Sequence, residues 1–274
     1  MSASGAKAFL ALHCPGSPLV MPNPWDVGSA LALEALGFSA LATTSSGLAA
    51  TLGRLDGSVT RDEALAHAAQ IVAAVGVPVS ADLENGFGDE PEVVALTVEG
   101  AVAAGLAGCS IEDYGKGGIY EIELATQRVA AAVEAAAGRI VLTARAENYL
   151  HSRADLADTI ARLQAYGRAG ADVLYAPGIV EPEEIRVLVG ELDRPVNVLL
   201  LPDGPGVSDL ASYQVSRVSI GGSFAFAAFG TLARAALELQ GTGPYTFWDL
   251  AAEGRALARR AFQQVSKPSH DLAE

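Results

Sequence analysis

Short apolar runs recur along the chain, and each is followed by a longer stretch of helical character. The runs are Leu19-Val20-Met21, Ala40 to Ser46, Pro78 to Asp82, Gly108 to Glu112, Ile140 to Arg145, Val173 to Ala176, Val196 to Leu201 and Arg217 to Ile220. Between them lie predicted helices at about Val27 to Leu36, from Thr60, from Pro91 to about Ala104, Glu123 to Ala137, Asp155 to Ala169, Pro182 to Val189, Ser208 to Tyr213 and Phe224 to Leu239. Thr60 with Glu63 reads as a capping box, and Pro91 suits a first helical turn. Apolar strands alternating with helices predict parallel pairing with both sheet faces covered. Eight such units predict closure into a (β/α)8 TIM-type barrel. The competing open, doubly wound sheet is disfavoured because no Gly-x-Gly-x-x-Gly follows the first strand. Residues 1–274 read as one domain of this kind, with a C-terminal helical extension from about residue 241.

Three of the runs end in charge: Asp82 and Glu84, Glu112 and Asp113, and Arg145 with Glu147. A spacing of two along a strand places Asp82 and Glu84 on one face. In a barrel of this class the C-terminal strand ends share one mouth, so these groups converge there with Ser45-Ser46-Gly47 and Asp56. Carboxylates packed in one pocket repel each other unless a cation sits among them. Oxygen ligands without His or Cys suit a hard ion, Mg²⁺ or Mn²⁺ in its place. His151 alone among the histidines falls near the mouth, and it reads as a solvated loop residue. Cys109 lies inside a strand and reads as small core filler.

Composition narrows the partners. Eighteen Lys and Arg stand against 32 Asp and Glu, a formal net charge of −14, which repels nucleic acid and anionic lipid surfaces. No run of 18 apolar residues suggests a membrane span, and two cysteines make no disulfide framework. A cytoplasmic protein with a small anionic ligand is expected. Phe224, Phe226, Phe229, Phe247 and Trp248 gather near the end of the chain and suggest a subunit contact.

The residues Ser45-Ser46-Gly47-Leu48, Asp56, Asp82-Leu83-Glu84-Asn85-Gly86-Phe87-Gly88, Ile111-Glu112-Asp113 and Thr143-Ala144-Arg145 together resemble the isocitrate lyase and phosphoenolpyruvate mutase superfamily. The likeness extends over roughly residues 15 to 240. It implies a Mg²⁺-dependent barrel acting on a 2-oxo acid, oxaloacetate-like or 2-oxoglutarate-like, through an enolate. By position Asp82 resembles the direct metal ligand, with Asp56, Glu84 and Glu112 holding metal-bound water. Ser45, Ser46 and Gly47 would receive the substrate's oxygens, and Arg145 would clamp its second anionic group. The resemblance also implies a homodimer or homotetramer that exchanges its last barrel helix.

The chain departs from the lyases of that superfamily in the loop after the fourth strand. Where they carry a Lys-Lys-Cys-Gly-His type motif, this chain reads Asp113-Tyr114-Gly115-Lys116-Gly117-Gly118-Ile119-Tyr120. With no Cys or His there, Tyr114, Lys116 or Tyr120 is left as proton carrier on a glycine-rich lid. The tip of the sixth strand, Tyr175-Ala176-Pro177, lacks the His of the mutases, so phosphoryl migration is unsupported. Carbon–carbon cleavage of a 2-oxo acid by a decarboxylase, hydrolase or lyase is the leading expectation. A family member that binds such an acid without turnover is the alternative. A Schiff-base aldolase would depend on Lys116. Asn197 and Asp203, at and after the seventh strand, are further candidates for the mouth.

Overall fold

The computed structural model describes residues 3–265. In chain order the strands are β1 (Leu19–Val20), β2 (Leu41–Ala42), β3 (Val79–Asp82), β4 (Gly108–Glu112), β5 (Tyr114–Gly115), β6 (Gly118–Ile119), β7 (Val141–Arg145), β8 (Val173–Tyr175), β9 (Val196–Leu199) and β10 (Arg217–Ser219). The helices are α1 (Ala3–Leu10), α2 (Val27–Ala35), α3 (Ser45–Thr51), α4 (Arg61–Ala74), α5 (Pro91–Ala103) and α6 (Ile122–Ala136), then α7 (Leu156–Arg168), α8 (Pro182–Glu191), α9 (Val207–Ser212), α10 (Ser223–Gln240) and α11 (Phe247–Val265).

Eight strands pair in parallel in the order β1-β10-β9-β8-β7-β4-β3-β2, and β5 pairs with β6 as a separate antiparallel hairpin. That order is the expected barrel read around its wall. The ladder stops between β1 and β2, and there the Ala42 amide donates to Pro22 O at 3.1 Å. Asn23 reinforces this seam. Its Nδ2 donates to Thr43 O, and its Oδ1 accepts the amides of Ile220 and Gly221, all at 3.0 Å.

Alternation along the strands divides the core in two. Val79, Ala81, Cys109, Ile111, Leu142, Leu174, Val196 and Val218 face the helices in one large apolar cluster. Phe9, Leu19, Met21, Ala40, Val141 and Val173 form a smaller one inside the barrel. Phe9, from α1, is fully buried and stoppers the barrel floor. Gly108 permits this: a Cβ there would sit 3.0 Å from Phe9 Cε1 and 2.8 Å from Val141 O.

Two capping signals fold as the sequence predicts: Thr60 and Glu63 complete a reciprocal box at α4, and Pro91 opens α5. Three elements were not predicted, namely α1, α3 and the β5–β6 hairpin. The last barrel helix, α10, buries only Ala225 along its length, and Phe226, Phe229, Leu232 and Leu237 are exposed. α11 returns to lie against α2. Among the described residues no helix is long and apolar enough to cross a membrane.

Candidate active site

A cavity of about 1050 Å³ opens at the C-terminal ends of the strands. Ser45, Asp56, Glu84, Glu112, Arg145 and Glu147 line it from the barrel side, and Tyr114, Lys116 and His151 line it from the lid and the loop after β7.

Arg145 is the hub. Its Nη1 lies 2.9 Å from Asp82 Oδ1, its Nη2 3.1 Å from Glu112 Oε2 and its Nε 2.7 Å from Glu147 Oε1. Only 12% of its side chain is exposed, so a full positive charge is held in a low-dielectric wall by three carboxylates. Those carboxylates hold the guanidinium firmly protonated. Burial raises Glu112, with Glu147, Asp82 and Glu84 adding to the rise and Arg145 opposing it. Glu84 is pushed up to about 7 by burial, then by Asp82 and Asp56. The raised values mark carboxyls crowded around one arginine, whose single charge does not offset all of them when ionised.

Asp82 ends β3. Its amide donates to Thr43 Oγ1 at 3.0 Å, and its Oδ2 accepts the Ser45 amide at 3.4 Å. Glu84 reaches the cavity by a different route from the one the strand period suggests. The strand has ended, and Glu84 sits in the left-handed region at φ 48°, its own amide 3.4 Å from Asp82 Oδ1. A non-glycine residue held there stores strain, and this one holds a carboxylate at the cavity.

The loop that carries Glu84 is fixed from outside. Buried Arg128, on α6, donates to Gly88 O at 2.6 Å and also to Asn85 O and Asp89 O. Tyr120 lies under the same guanidinium and bonds Asp89 Oδ1 at 2.5 Å while accepting from Asn85 Nδ2 at 2.9 Å. Asp113 is structural rather than catalytic. It is buried, accepting from the Glu147 amide at 2.8 Å, Tyr166 Oη at 2.6 Å and Arg162 Nη1 at 3.2 Å.

The remaining expected residues divide. Asp56 lines the cavity from an exposed loop. Ser45 is on the wall, but Ser46, Gly47 and Asp82 are not among the lining residues, Asp82 standing behind Arg145. The Gly47 amide is engaged by Thr44 Oγ1 at 3.3 Å, because Thr44 caps α3, and Ser46 Oγ bonds the same hydroxyl at 3.1 Å. Asn197 is fully buried, donates to Ser219 Oγ at 2.9 Å and does not line the cavity. Asp203 is an exposed turn residue outside it. Lys116 is exposed at the hairpin turn and is not the desolvated lysine an imine requires.

His151 corrects the sequence reading. It is half-buried and stacked on Tyr114, ring centroids 3.4 Å apart and 8° from parallel, with both residues on the cavity. Its position four residues past Glu147, on the loop after a charged strand tip, was the available signal.

Among the described residues no three His, Cys, Asp or Glu side chains stand close enough to cage a metal ion. Arg145 occupies the centre that a cage would need. The set still fits a hard cation bound through one or two carboxylates and several waters: oxygen-only donors, Asp82 Oδ2 held only by a long amide contact, and charge in excess.

The phosphoenolpyruvate phosphomutase family model matches residues 9–240. A candidate lyase/mutase from Burkholderia cenocepacia J2315 superposes with a TM-score of 0.89 at 50% identity, covering 94% of this chain and 95% of that one. The 2-methylisocitrate lyase of Escherichia coli (strain K12) is 31% identical over 205 residues, 70% of this chain and 69% of its own length. Oxaloacetate acetylhydrolase in complex with its product oxalate superposes with a TM-score of 0.84 at 25% identity, covering 96% of both chains.

Proposed function

The chain is an enzyme of the phosphoenolpyruvate phosphomutase family, and from that premise we propose that it cleaves a carbon–carbon bond in a small 2-oxo carboxylate. One observation carries the reading: Asp82 and Glu112 both pair with Arg145, and Arg145, Glu112, Glu84 and Asp56 line one cavity. Asp82 would hold Mg²⁺ directly, with Asp56, Glu84 and Glu112 holding its waters, and the ion would supply positive charge for the carboxylate and keto oxygens of a 2-oxo acid. The Ser45 amide, at the start of α3, donates to Asp82 Oδ2 and helps to fix that carboxylate. Arg145 presents a planar fork to the second anionic group once a cation shares its carboxylates. Tyr114 and Lys116 close over the mouth and exclude water.

The 2-oxo acid is oxaloacetate-like or 2-oxoglutarate-like, and the named relatives supply the precedent: one acts on methylisocitrate, and another releases oxalate. In the same proposal α10 is exchanged between protomers in a dimer or tetramer, where its exposed Phe226, Phe229 and Leu232 would find cover. The setting is the cytoplasm, where Cys14 and Cys109 stay free.

Thermal unfolding with oxalate, in Mg²⁺ and in EDTA, tests the site, and NMR of mixtures with oxaloacetate and its C3-substituted analogues tests turnover. At a hundredfold excess over its Kd a ligand adds roughly 2.7 kcal/mol, a rise of about 5 to 10 °C at this size. The rise should need Mg²⁺ and vanish in Asp82→Ala. A rise indifferent to both, or none, would remove the proposal.

A further inference from the structure

The lid carries no Cys and no His, yet an imidazole stands against it. His151 comes from the loop after β7, where its backbone amide is held by Glu147 O and Asn148 O, both at 3.2 Å. Its ring lies flat on Tyr114 of the lid, and both rings line the cavity that holds Glu84, Glu112 and Arg145. The other described histidines are committed elsewhere: His13 to the barrel floor, beside Arg217, and His67 to Trp25 O at 3.0 Å.

We propose that His151, with its ring plane set by Tyr114, is the proton carrier of this active site. The inference rests on the 2-oxo acid reading above. Of the side-chain types on this rim, imidazole alone has an ordinary pKa near neutrality, which lets it give and take a proton in one cycle. The step balances as follows. The enolate left by carbon–carbon cleavage forms a C–H bond at C3 with its π pair, and the keto C=O is restored. The imidazolium N–H bond breaks, its electron pair stays on nitrogen, and the proton released by the attacking water or substrate hydroxyl in the cleavage step recharges the ring. Burial lowers the ring's pKa below its ordinary value, Asp113 just past the end of β4 opposes this, and Arg145 adds to the lowering. The stack also makes the carrier conditional. When the hairpin lifts, Tyr114 leaves and His151 loses the surface that orients it.

Proton exchange reads this directly. Wild type with Mg²⁺ and pyruvate or 2-oxobutyrate in D₂O should replace the C3 protons, seen as loss of their ¹H signals. His151→Gln should slow exchange by about 10²- to 10⁴-fold while leaving the Mg²⁺-dependent stabilisation by oxalate in place. Tyr114→Leu, which removes the stacked ring, should be slow, and Tyr114→Phe, which restores a ring, should recover much of the lost exchange. Exchange by His151→Gln at the wild-type rate overturns the inference, as does a wild type that binds oxalate but exchanges neither acid. Absence of any Mg²⁺-dependent oxalate stabilisation in wild type would instead bring down the functional proposal, and this inference with it.

Discussion

Arg145 Nη1 and Asp82 Oδ1 stand 2.9 Å apart, and the same guanidinium also reaches Glu112 and Glu147. One cation thus holds together a wall that would otherwise repel itself. Replacing it leaves poorly solvated carboxylates without a partner, a change that typically costs about 3 to 5 kcal/mol. Arg145→Ala should lose stability of that order in urea unfolding at pH 7, and millimolar Mg²⁺ should restore more of it than in wild type. Equal responses to Mg²⁺ would mean that cation and arginine do not share these carboxylates.

At the opposite end of the barrel, His13 is held neutral. Its Nδ1 donates to Phe9 O at 3.1 Å, and its Nε2 faces Arg217 Nη1 at 3.4 Å. Burial and that arginine lower its pKa to about 3, from an ordinary 6.5. Between these values the unfolded chain binds the proton and the folded chain does not, so stability is full above about 6.5 and falls as the pH drops toward 3. His13→Gln should show a shallower loss between pH 6.5 and 4 in denaturant titrations. An unchanged slope would assign the acid sensitivity to other groups.

Arg128 supports the loop of Glu84 through three backbone carbonyls. Arg128→Met keeps the stem and removes the donors, leaving part-buried carbonyls short of partners at about 1 kcal/mol each, the low end for such a loss. A loss of about 3 kcal/mol is expected, together with weaker Mg²⁺-dependent oxalate binding, measured by calorimetry. Stability lost with binding intact would show that the loop keeps its shape without this support.

The exposed face of α10 bears on assembly. Phe229→Glu with Leu232→Glu places charge where the proposed exchange buries apolar surface. Light scattering should show wild type as a dimer or tetramer and the double variant as a smaller species. A monomeric wild type would dispose of the exchange.

The barrel was legible because strand and helix periods are local and strong here. Boundaries fell within a few residues from Thr60 to Gln240, helped by punctuation such as Thr60, Pro91 and Pro182. What escaped depends on contacts made at a distance. α1 is a short helix of eight residues whose role, Phe9 in the barrel floor, needs Gly108 opposite it. The α3 helix begins in Thr-Thr-Ser-Ser-Gly, which reads as a loop until Thr44 is seen capping it. The site was half visible. Acids at strand tips announced Asp82 and Glu112, but the period-two argument for Glu84 gave a correct neighbour for a wrong reason, since a left-handed residue past the strand end brings it in. Asp113 and Asn197 looked like mouth residues because sequence shows charge and polarity but not the buried partners that absorb them. His270 lies outside the described residues.

The ends of the lid are tied to each other and to the barrel. The Tyr120 amide donates to Asp113 O at 2.8 Å, Arg162 holds Tyr120 O at 2.8 Å, and the Asp113 amide donates to Arg145 O at 3.2 Å. Residues 114–119 are therefore a flap on a fixed base. Its motion ends at that base, so strain in the flap is not passed to the strands that carry the carboxylates. Such a flap behaves as an exchangeable part: its sequence can drift, losing one acid and recruiting another from a neighbouring loop, while the wall beneath keeps its geometry. The barrel mouth and its cover are then free to evolve at different speeds.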